Sequence, residues 1–193
     1  MKKVAFSAMR IQGFHNGHFN LISEMLKNND VVIIGLGSTQ IQRTMNNPYS
    51  PSERTEMLWR VFGKTSKIKV VPLVDIGAVK KEDWVHYCMS EIEKKCLPQP
   101  TRYYGGSATD VSWFVNAVNL EGKPIETYIV DRYSSGVMSA TEVRKSIANS
   151  IVDPEITTDE WKRFVPEVLH DFLVEKFPES LTLEFNLKKK QGY

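Results

Sequence analysis

Residues 3–18 read KVAFSAMRIQGFHNGH, and this stretch decides the fold. Its first half is apolar, as in a buried β-strand, and apolar residues then recur at helical spacing over Leu21–Leu26. The sequence therefore predicts a strand, a loop and a helix that begins near Gly17. His15 and His18 stand at the start of this helix, where backbone N–H groups are free and the helix dipole is positive. Such a junction favours phosphate binding, and the glycine allows a ligand to approach the backbone.

Strand-like and helix-like segments alternate along the rest of the chain. Further strands are predicted at residues 31–37, 69–74, 102–104 and 125–130. This alternation is typical of an α/β protein with a Rossmann-like, doubly wound, five-stranded parallel sheet and helices on both faces. The loops that follow the strands should then converge on a crevice at the carboxyl ends of the strands. Pro72 lacks an N–H group, which places the third strand at an edge of the sheet.

Two capping boxes mark helix starts most clearly. Ser50-Pro51-Ser52-Glu53 and Ser139-Ala140-Thr141-Glu142 each place a glutamate three residues after a serine. Apolar spacing predicts further helices over residues 82–95, 111–118 and 161–173. Strict alternation of apolar residues over 181–187 predicts a terminal strand. Trp59 and Trp113 are predicted to lie in the core.

Length and composition predict one domain over residues 1–177 with a C-terminal extension over 178–193. The net charge of +2 argues against nucleic acid as a partner. No apolar run reaches transmembrane length and no signal peptide is recognised, so a cytoplasmic protein without a membrane anchor is predicted. Cys88 and Cys96 fall on one predicted helix and are interpreted as free thiols.

Several kinds of catalytic site lack their motifs. GLGSTQ at residues 35–40 has no third glycine and follows the second strand, which argues against a dinucleotide fingerprint. A Walker loop and a nucleophile elbow are absent from the sequence. No third ligand stands at metal-binding spacing from the two histidines, so no protein-held metal is predicted.

The polar residues that remain suit a polyphosphate. Arg10, His15 and His18 fall in the first loop, whereas Ser139, Thr141 and Arg144 fall at the last helix start. Hydroxyl groups, backbone N–H groups and guanidinium groups are the usual ligands of phosphate. Taken singly, each has a simpler interpretation: the serine and glutamate as a capping box, and the arginine as a surface ion pair.

Four motifs in order make the interpretation specific. They are Arg10-x-Gln12-x-x-His15-x-Gly17-His18, Gly35-x-Gly37-Ser38-x-Gln40, Asn47-Pro48-Tyr49-Ser50-x-x-Glu53-Arg54 and Ser139-x-Thr141-Glu142-Val143-Arg144. In this combination the chain resembles the HxGH nucleotidyltransferases. It is most similar to the nicotinamide mononucleotide (NMN) adenylyltransferases of the archaeal type, over about residues 3–177. The chain has no Nudix-type glutamate motif, so a fused hydrolase is not expected.

The resemblance implies transfer of AMP from ATP to NMN, giving NAD and pyrophosphate without a covalent intermediate. It implies Mg²⁺ held mainly by the phosphates of ATP. The implied catalytic residues are His15, His18 and Arg144. The implied ATP and phosphate contacts are Arg10, Gly17, Gly105, Ser107, Ser139 and Thr141. The implied NMN contacts are Ser38, Thr39, Asn47, Asp75 and Trp84, the last stacking on the nicotinamide ring or else packing in the core. Related enzymes are often homo-oligomers, so a homo-oligomer is expected.

The chain departs from the pattern of that branch in four places. Met9 stands where glycine is usual and Gly13 where proline is usual. The polar stretch over residues 41–46 also departs from the usual pattern, with Arg43 where histidine is frequent. The loop over residues 134–138 is longer. These departures leave three other acceptors open: nicotinic acid mononucleotide, pantetheine phosphate and FMN. A nucleotide-binding regulator without turnover is the alternative of another class.

Overall fold

The computed structural model describes residues 2–131, 138–152 and 159–182. Within these residues the strands are β1 (Val4–Met9), β2 (Val31–Leu36), β3 (Ile68–Pro72), β4 (Arg102–Gly105) and β5 (Glu126–Ile129). They form one parallel sheet in the order β3-β2-β1-β4-β5. The predicted five-stranded α/β fold is confirmed. Its strand order reverses between β1 and β4, and ligands of such sheets bind outside the carboxyl ends at this point.

The central position of β1 follows from its apolar sequence. It pairs with β2 from Val4 opposite Val31 to Met9 opposite Leu36, and with β4 on its other side. Strands that are covered on both faces are nearly continuous apolar runs. Among the described strands β3 pairs with β2 alone and ends at Pro72. The predicted edge position is therefore confirmed.

The helices begin where the sequence places their caps. The described α-helices are α1 (Asn16–Asn28), α2 (Pro51–Phe62), α3 (Lys81–Lys94), α4 (Ala108–Val111), α5 (Ala140–Val152) and α6 (His170–Glu175). Before α2, the Ser50 hydroxyl accepts from the Glu53 N–H at 3.3 Å, and the Glu53 carboxylate accepts from the Ser50 N–H at 2.8 Å. Ser139 and Glu142 form the same reciprocal pair at α5. Both predicted capping boxes are confirmed, and each satisfies two N–H groups that the helix cannot.

The chain forms two compact units. The first, called the sheet unit below, comprises Met1–Arg10, Asn20–Gln40 and Lys64–Ser135, and it contains the sheet. The second, called the helical unit, comprises Ile11–Phe19, Ile41–Gly63 and Gly136–Tyr193. It contains α2, α5, α6 and the first residues of α1. The division of the sequence at residue 177 stays a prediction.

The predicted helix over residues 111–118 is wrong beyond its first turns. After α4 a 3₁₀ turn over Ser112–Phe114 follows, and the chain then becomes extended at Val115. Asn116 has a φ of 60°, in the left-handed region, which ends any helix. Val118 instead forms an isolated antiparallel bridge with Pro124. The apolar spacing is real, but a left-handed residue and a proline redirect the chain toward β5.

The predicted helix over residues 161–173 is interrupted at Pro166. Two 3₁₀ segments, Asp159–Phe164 and Glu167–Leu169, precede α6. Proline removes a backbone N–H group and disfavours helix in the residue before it. The His170 imidazole instead donates to the carbonyl groups of Lys162 and Val165, at 3.1 and 2.9 Å. A single helix is therefore replaced by three short ones.

Three smaller predictions also need correction or lie outside the described residues. Leu181 and Thr182 belong to a helical turn instead of a strand, and residues 183–187 of that predicted strand lie outside the described residues. The longer loop over 134–138 is described at Met138 alone. Cys96 lies past the end of α3 and is exposed, whereas Cys88 is buried within it; both are free thiols. No described helix is long and apolar enough to cross a membrane.

The core of the sheet unit leaves no space beside Gly35. A Cβ at this position would lie 2.6 Å from Leu73 Cδ1 and 2.7 Å from Phe6 Cε2. Both neighbours belong to one buried cluster, which also includes Ile33, Val71, Met89 and Phe114. Glycine in β2 is thus required by close packing.

We expect Gly35→Ala to lower the free energy of unfolding by about 1–3 kcal/mol, because an overpacked core must shift to fit the methyl group. Urea denaturation measures this change. Gly37→Ala is the matched control, since the nearest atom to its Cβ would lie at 3.5 Å, an ordinary contact. Equal losses in both variants would contradict the packing argument.

Candidate functional site

The loop between β1 and α1 is buried and has an unusual backbone. Residues 11–15 are all buried. Ile11 has a φ of 53° and Gly13 a φ of 85°. Proline holds φ near −65°, so the proline that the resemblance leads one to expect at residue 13 could not adopt the conformation of Gly13.

A reciprocal amide contact fixes this loop within the helical unit. Gln12 Nε2 donates to the Tyr49 carbonyl at 3.1 Å, and Gln12 Oε1 accepts from the Tyr49 N–H at 3.0 Å. All of these groups are buried, so each needs its partner. The Tyr49 hydroxyl donates to the Leu173 carbonyl at 3.0 Å. Burial, and then the charge of Glu53, raise the pKa of Tyr49 far above its usual range, which keeps the hydroxyl a donor.

The two histidine rings form one close, tilted pair. Their ring centroids lie 3.9 Å apart, with 38° between the ring planes. His15 Nδ1 accepts from the Gly17 N–H at 3.1 Å, and His18 Nδ1 accepts from the His15 N–H at 3.3 Å. A neutral imidazole that accepts at Nδ1 carries its proton at Nε2. Both rings are thus held in the tautomer that donates from Nε2, the atom farther from the backbone.

His15 also caps α1, which changes one expectation from the sequence. The His18 and Phe19 N–H groups donate to the His15 carbonyl at 2.9 and 3.2 Å, and the Gly17 N–H donates to the His15 ring. The sequence alone suggests that these N–H groups are free, but in the structure each of them already has an acceptor. Phe14 anchors the loop by packing edge-on against Phe62 of α2, with ring centroids 6.2 Å apart.

Arg144 holds the histidine loop directly. Its guanidinium donates to the Gln12 carbonyl at 2.8 Å, the Met45 carbonyl at 3.1 Å and the Thr141 hydroxyl at 3.1 Å. Only 4% of the residue is exposed. A buried guanidinium is stable when its N–H groups are satisfied in this way. Arg144 and Thr141 of α5 thus meet the loop after β1, as expected from the prediction that the loops after the strands converge.

Of the other residues expected to contact substrates, Asn47 is the most buried in the helical unit. It is 5% exposed, and its Oδ1 has no hydrogen-bond partner among the described residues. A buried acceptor of this kind favours an N–H or O–H donor. Ser139 is exposed at the start of α5, where its hydroxyl caps the helix.

Arg43 is bound by Glu53 in the helical unit. The guanidinium donates to the carboxylate at 2.7 Å and to the Pro48 carbonyl at 3.2 Å. Burial raises the pKa of Glu53, but hydrogen bonds from Arg43 and Ser50 outweigh it and hold the pKa below its usual range. Arg43 therefore supports the segment before α2.

We expect this carboxylate to contribute to acid unfolding. Because its folded-state pKa is lowered, its stabilisation is present above the usual glutamate pKa and is lost as the pH falls through the lowered value. The unfolding free energy of Glu53→Gln should therefore depend less steeply on pH in the acid range than that of the wild type. Glutamine retains the cap, so only the charge changes. Glu93→Gln, on exposed surface, is the control; an unchanged slope in Glu53→Gln would contradict this role.

In the sheet unit, Asp75 is fixed by residues that follow β2. Ser38 Oγ donates to one carboxylate oxygen at 3.0 Å, and Gln40 Nε2 donates to the other at 3.1 Å. Gln40 Oε1 accepts from the Asp75 N–H at 3.2 Å. Ser38 is buried and has a φ of 52°. The Thr39 hydroxyl donates to the Leu73 carbonyl, so it holds the end of β3 in place.

A cavity of about 450 Å³ opens at the switch point of the sheet. It is lined by Ala8 of β1, Tyr103 of β4, Asp75–Ala78, Trp84 of α3, Thr109 and Asp110 of α4, and Trp113. Ligand sites of small molecules have volumes of about 300–1,000 Å³. The structure thus brings Asp75 and Trp84 to one cavity, at the place where such sheets bind ligands.

The cavity is not lined by the remaining predicted residues of the sheet unit, Arg10, Gly105 and Ser107. Ser107 Oγ accepts from the Asp110 N–H at 3.2 Å and so caps α4. A Cβ on Gly105 would lie 2.9 Å from Asp110 Cβ, so this glycine lets α4 approach β4. Arg10 is exposed just after β1, and its Cγ would lie 3.5 Å from a Cβ on Gly37.

Three residues of the two sites were not assigned from the sequence. Gln12 belongs to the first motif, but the sequence by itself indicates no role for it. Asp110 carried no local signal, because a carboxylate at a helix start is common. Trp113 was expected in the core, yet it is 38% exposed and lines the cavity. An unexplained tryptophan near a glycine turn was the available signal. Trp59, the other expected core tryptophan, is half-buried.

No group of three or more potential metal ligands occurs among the described side chains.

The parallel sheet, with a His-x-Gly-His loop after its central strand, defines a nucleotidyltransferase-type α/β protein. A family model described as cytidylyltransferase-like matches residues 12–146. The nicotinamide-nucleotide adenylyltransferase of Methanococcus vannielii is 30% identical over 174 residues, which cover 89% of this chain and 88% of that protein. That of Methanococcus aeolicus is 30% identical over 182 residues, covering 93% and 92%. The chain therefore belongs to the cytidylyltransferase-like family and, within it, to the nicotinamide-nucleotide adenylyltransferases.

A solved structure with the same fold is larger. It is a bifunctional NMN adenylyltransferase/ADP ribose pyrophosphatase from Francisella tularensis, complexed with AMP and a manganese ion. Its TM-score is 0.69 at 21% identity, over 99% of this chain and 54% of that one. This chain thus spans about half the length of that protein.

Proposed function

We propose that this protein transfers AMP from ATP to NMN, giving NAD and pyrophosphate. The observation that carries the proposal is the close, tilted His15–His18 pair, in which both Nδ1 atoms accept from the backbone. Among the described residues of the helical unit, this pair alone holds two imidazole donors in a fixed orientation next to a helix start. Family membership supports the same reaction. We propose that the enzyme acts in the cytoplasm as a homo-oligomer, as related enzymes often do.

The proposed chemistry is an in-line displacement at phosphorus. An oxygen of the NMN 5′-phosphate forms a bond to the α-phosphorus of ATP, and the bond from that phosphorus to the bridging oxygen breaks. Pyrophosphate leaves with the electron pair. The attacking oxygen is already anionic, so the protein needs to position the groups and stabilise charge more than to move protons.

We assign His15 and His18 as donors from Nε2 to the phosphates of ATP. Gly17 leaves the helix start open to them, because it has no side chain. Arg144 contributes a buried positive charge beside the loop while it holds the Gln12 carbonyl. Arg10, Ser139 and Thr141 are proposed as further phosphate contacts, and Gly105 and Ser107 as neighbours of adenosine.

For the acceptor we assign Asp75 and Trp84 of the cavity, together with Ser38, Thr39 and Asn47. A pyridinium ring is a cation and is attracted to the face of an indole. Ser38 and Gln40 hold Asp75 in one orientation, so its carboxylate is organised before any ligand arrives. Mg²⁺, held by ATP oxygens, would supply charge neutralisation on the polyphosphate when bound.

The deciding experiment compares acceptors side by side. Pyrophosphate release would be measured with ATP and Mg²⁺ in the presence of NMN, nicotinic acid mononucleotide, pantetheine phosphate or FMN. We expect release with NMN, matched by NAD formed. Release with pantetheine phosphate or FMN alone would contradict the assignment of NMN as the acceptor. Binding of ATP without pyrophosphate release in the presence of any acceptor would indicate a nucleotide-binding regulator and would contradict the proposal that the protein is an enzyme.

A further inference from the structure

The loop between β1 and α1 begins with a residue in a strained conformation. Ile11 is 1% exposed and has a φ of 53°. A β-branched residue in the left-handed region is an outlier, and such strain persists at functional sites where the surroundings hold it in place. We infer that Gln12 is a positioning residue: its side-chain amide holds this strained backbone and so fixes the orientation of His15 and His18. The inference rests on the proposed function, since it deepens the role that the histidine pair has there.

The Gln12 side chain pairs with the backbone of one other residue. Its Nε2 donates to the Tyr49 carbonyl at 3.1 Å, while its Oε1 accepts from the Tyr49 N–H at 3.0 Å. Two residues of antiparallel strands exchange a pair of hydrogen bonds in the same manner. Gln12 is 1% exposed, so both bonds are shielded from solvent. A primary amide offers a donor and an acceptor side by side in one plane, which a methionine of similar length does not.

Tyr49 is a fixed point for this contact. Its ring is fully buried and packs edge-on against Phe177, with ring centroids 6.1 Å apart. Its hydroxyl donates to the Leu173 carbonyl of α6 at 3.0 Å. The next residue along the chain, Ser50, is the N-cap of α2. Gln12 therefore ties the strained loop to a segment that the core and a helix cap hold in place.

The histidine rings depend on the backbone that Gln12 holds. The main-chain carbonyl of Gln12 accepts from Arg144 Nη1 at 2.8 Å, so this residue is held through both its side chain and its backbone. Three residues further on, the His15 N–H donates to His18 Nδ1 at 3.3 Å and thereby leaves the proton of that ring at Nε2. A backbone that relaxed at Ile11 would move this N–H group. The amide contact thus acts on the donors through the path of the loop.

The kinetic test compares two buried amides that hold different parts of the chain. We expect Gln12→Met to lower kcat about 10- to 100-fold and to change the KM for ATP less than about threefold, because misplaced donors cost more in the transition state than in binding. Asn119→Leu is the matched control. Asn119 is 4% exposed, donates to the Pro100 carbonyl at 3.1 Å and accepts from two backbone N–H groups at 3.0 Å. It belongs to the sheet unit, so its loss should lower the stability to urea and leave kcat unchanged.

A second measurement does not require turnover. Nitrogen-15 NMR of the imidazoles, at a pH where they are neutral, reports which ring nitrogen carries the proton. We expect His15 and His18 to be protonated at Nε2 in the wild type and in Asn119→Leu, and to populate both tautomers in Gln12→Met. The exposed His86 serves as the internal reference. If Gln12→Met does not fold, Gln12→Asn replaces it, since its amide is one methylene group shorter.

Failure of the inference and failure of the proposed function give different results. A wild type that releases no pyrophosphate with ATP and NMN would overturn the proposed function, and the tautomers would still test the inference. A Gln12→Met variant with the kcat of the wild type, or with unchanged tautomers, would overturn the inference alone. Equal losses of kcat in Gln12→Met and Asn119→Leu would also overturn it, because they would show a general loss of stability. Circular dichroism of each variant confirms that the fold is retained.

Discussion

His18→Ala should reduce turnover by about 10²–10³-fold, the usual cost of removing one donor to a developing charge. The expectation follows from the geometry of the ring. His18 Nδ1 accepts from the His15 N–H at 3.3 Å, which leaves Nε2 as the protonated atom. Alanine removes this donor while the cap of α1, which His15 provides, stays in place. The measurement is steady-state pyrophosphate release at saturating ATP and NMN.

Two further variants separate a donor from a merely structural ring. His18→Gln places an amide N–H₂ group near the position of Nε2, so we expect it to retain more turnover than His18→Ala. His86→Ala makes the same substitution at an exposed histidine of α3 and should have little effect. Near-normal turnover in a folded His18→Ala protein would contradict the role of His18 as a donor to the phosphates of ATP.

The second large effect is expected for Arg144→Lys. Lysine keeps the charge but its single ammonium cannot serve the Gln12 carbonyl, the Met45 carbonyl and the Thr141 hydroxyl together. Buried acceptors left without partners cost about 1–3 kcal/mol of stability. Because Arg144 holds the histidine loop, we also expect turnover to fall about 10²-fold, as when catalytic groups are misplaced by an ångström.

Chemical denaturation and steady-state kinetics on the same preparations test both parts of this expectation. Arg163→Lys is the matched control, because Arg163 is exposed and its guanidinium lies 5.8 Å from the Phe164 ring centroid. An exposed cation–π contact contributes about 0.5–1 kcal/mol, so the effect should be small. Lost turnover with unchanged stability would show that Arg144 acts at the substrate alone, and would contradict its proposed hold on the loop.

The first strand, the edge position of β3 and both capping boxes could be predicted from local sequence because their causes are local. An apolar run, a proline at a strand end and a serine three residues before a glutamate act on their own neighbours. The helices predicted over 111–118 and 161–173 are not continuous in the structure. Apolar residues do recur there at helical spacing, but Asn116 and Pro166 interrupt the helices. The bridge from Val118 to Pro124 joins residues that are apart in sequence.

In the candidate site, too, some features follow from local sequence and others depend on the tertiary structure. By itself the sequence determined that His15 and His18 stand at a helix start after the first strand. An apolar run precedes these residues, and apolar residues at helical spacing follow them. Only the tertiary structure decided which Nδ1 each backbone N–H meets, that Arg144 donates to the Gln12 carbonyl 132 residues away, and that Trp113 lines a cavity. The physical reason is that hydrogen bonds and cavities depend on which surfaces meet after folding. Residue type fixes what a side chain can donate or accept, and the fold fixes its partner.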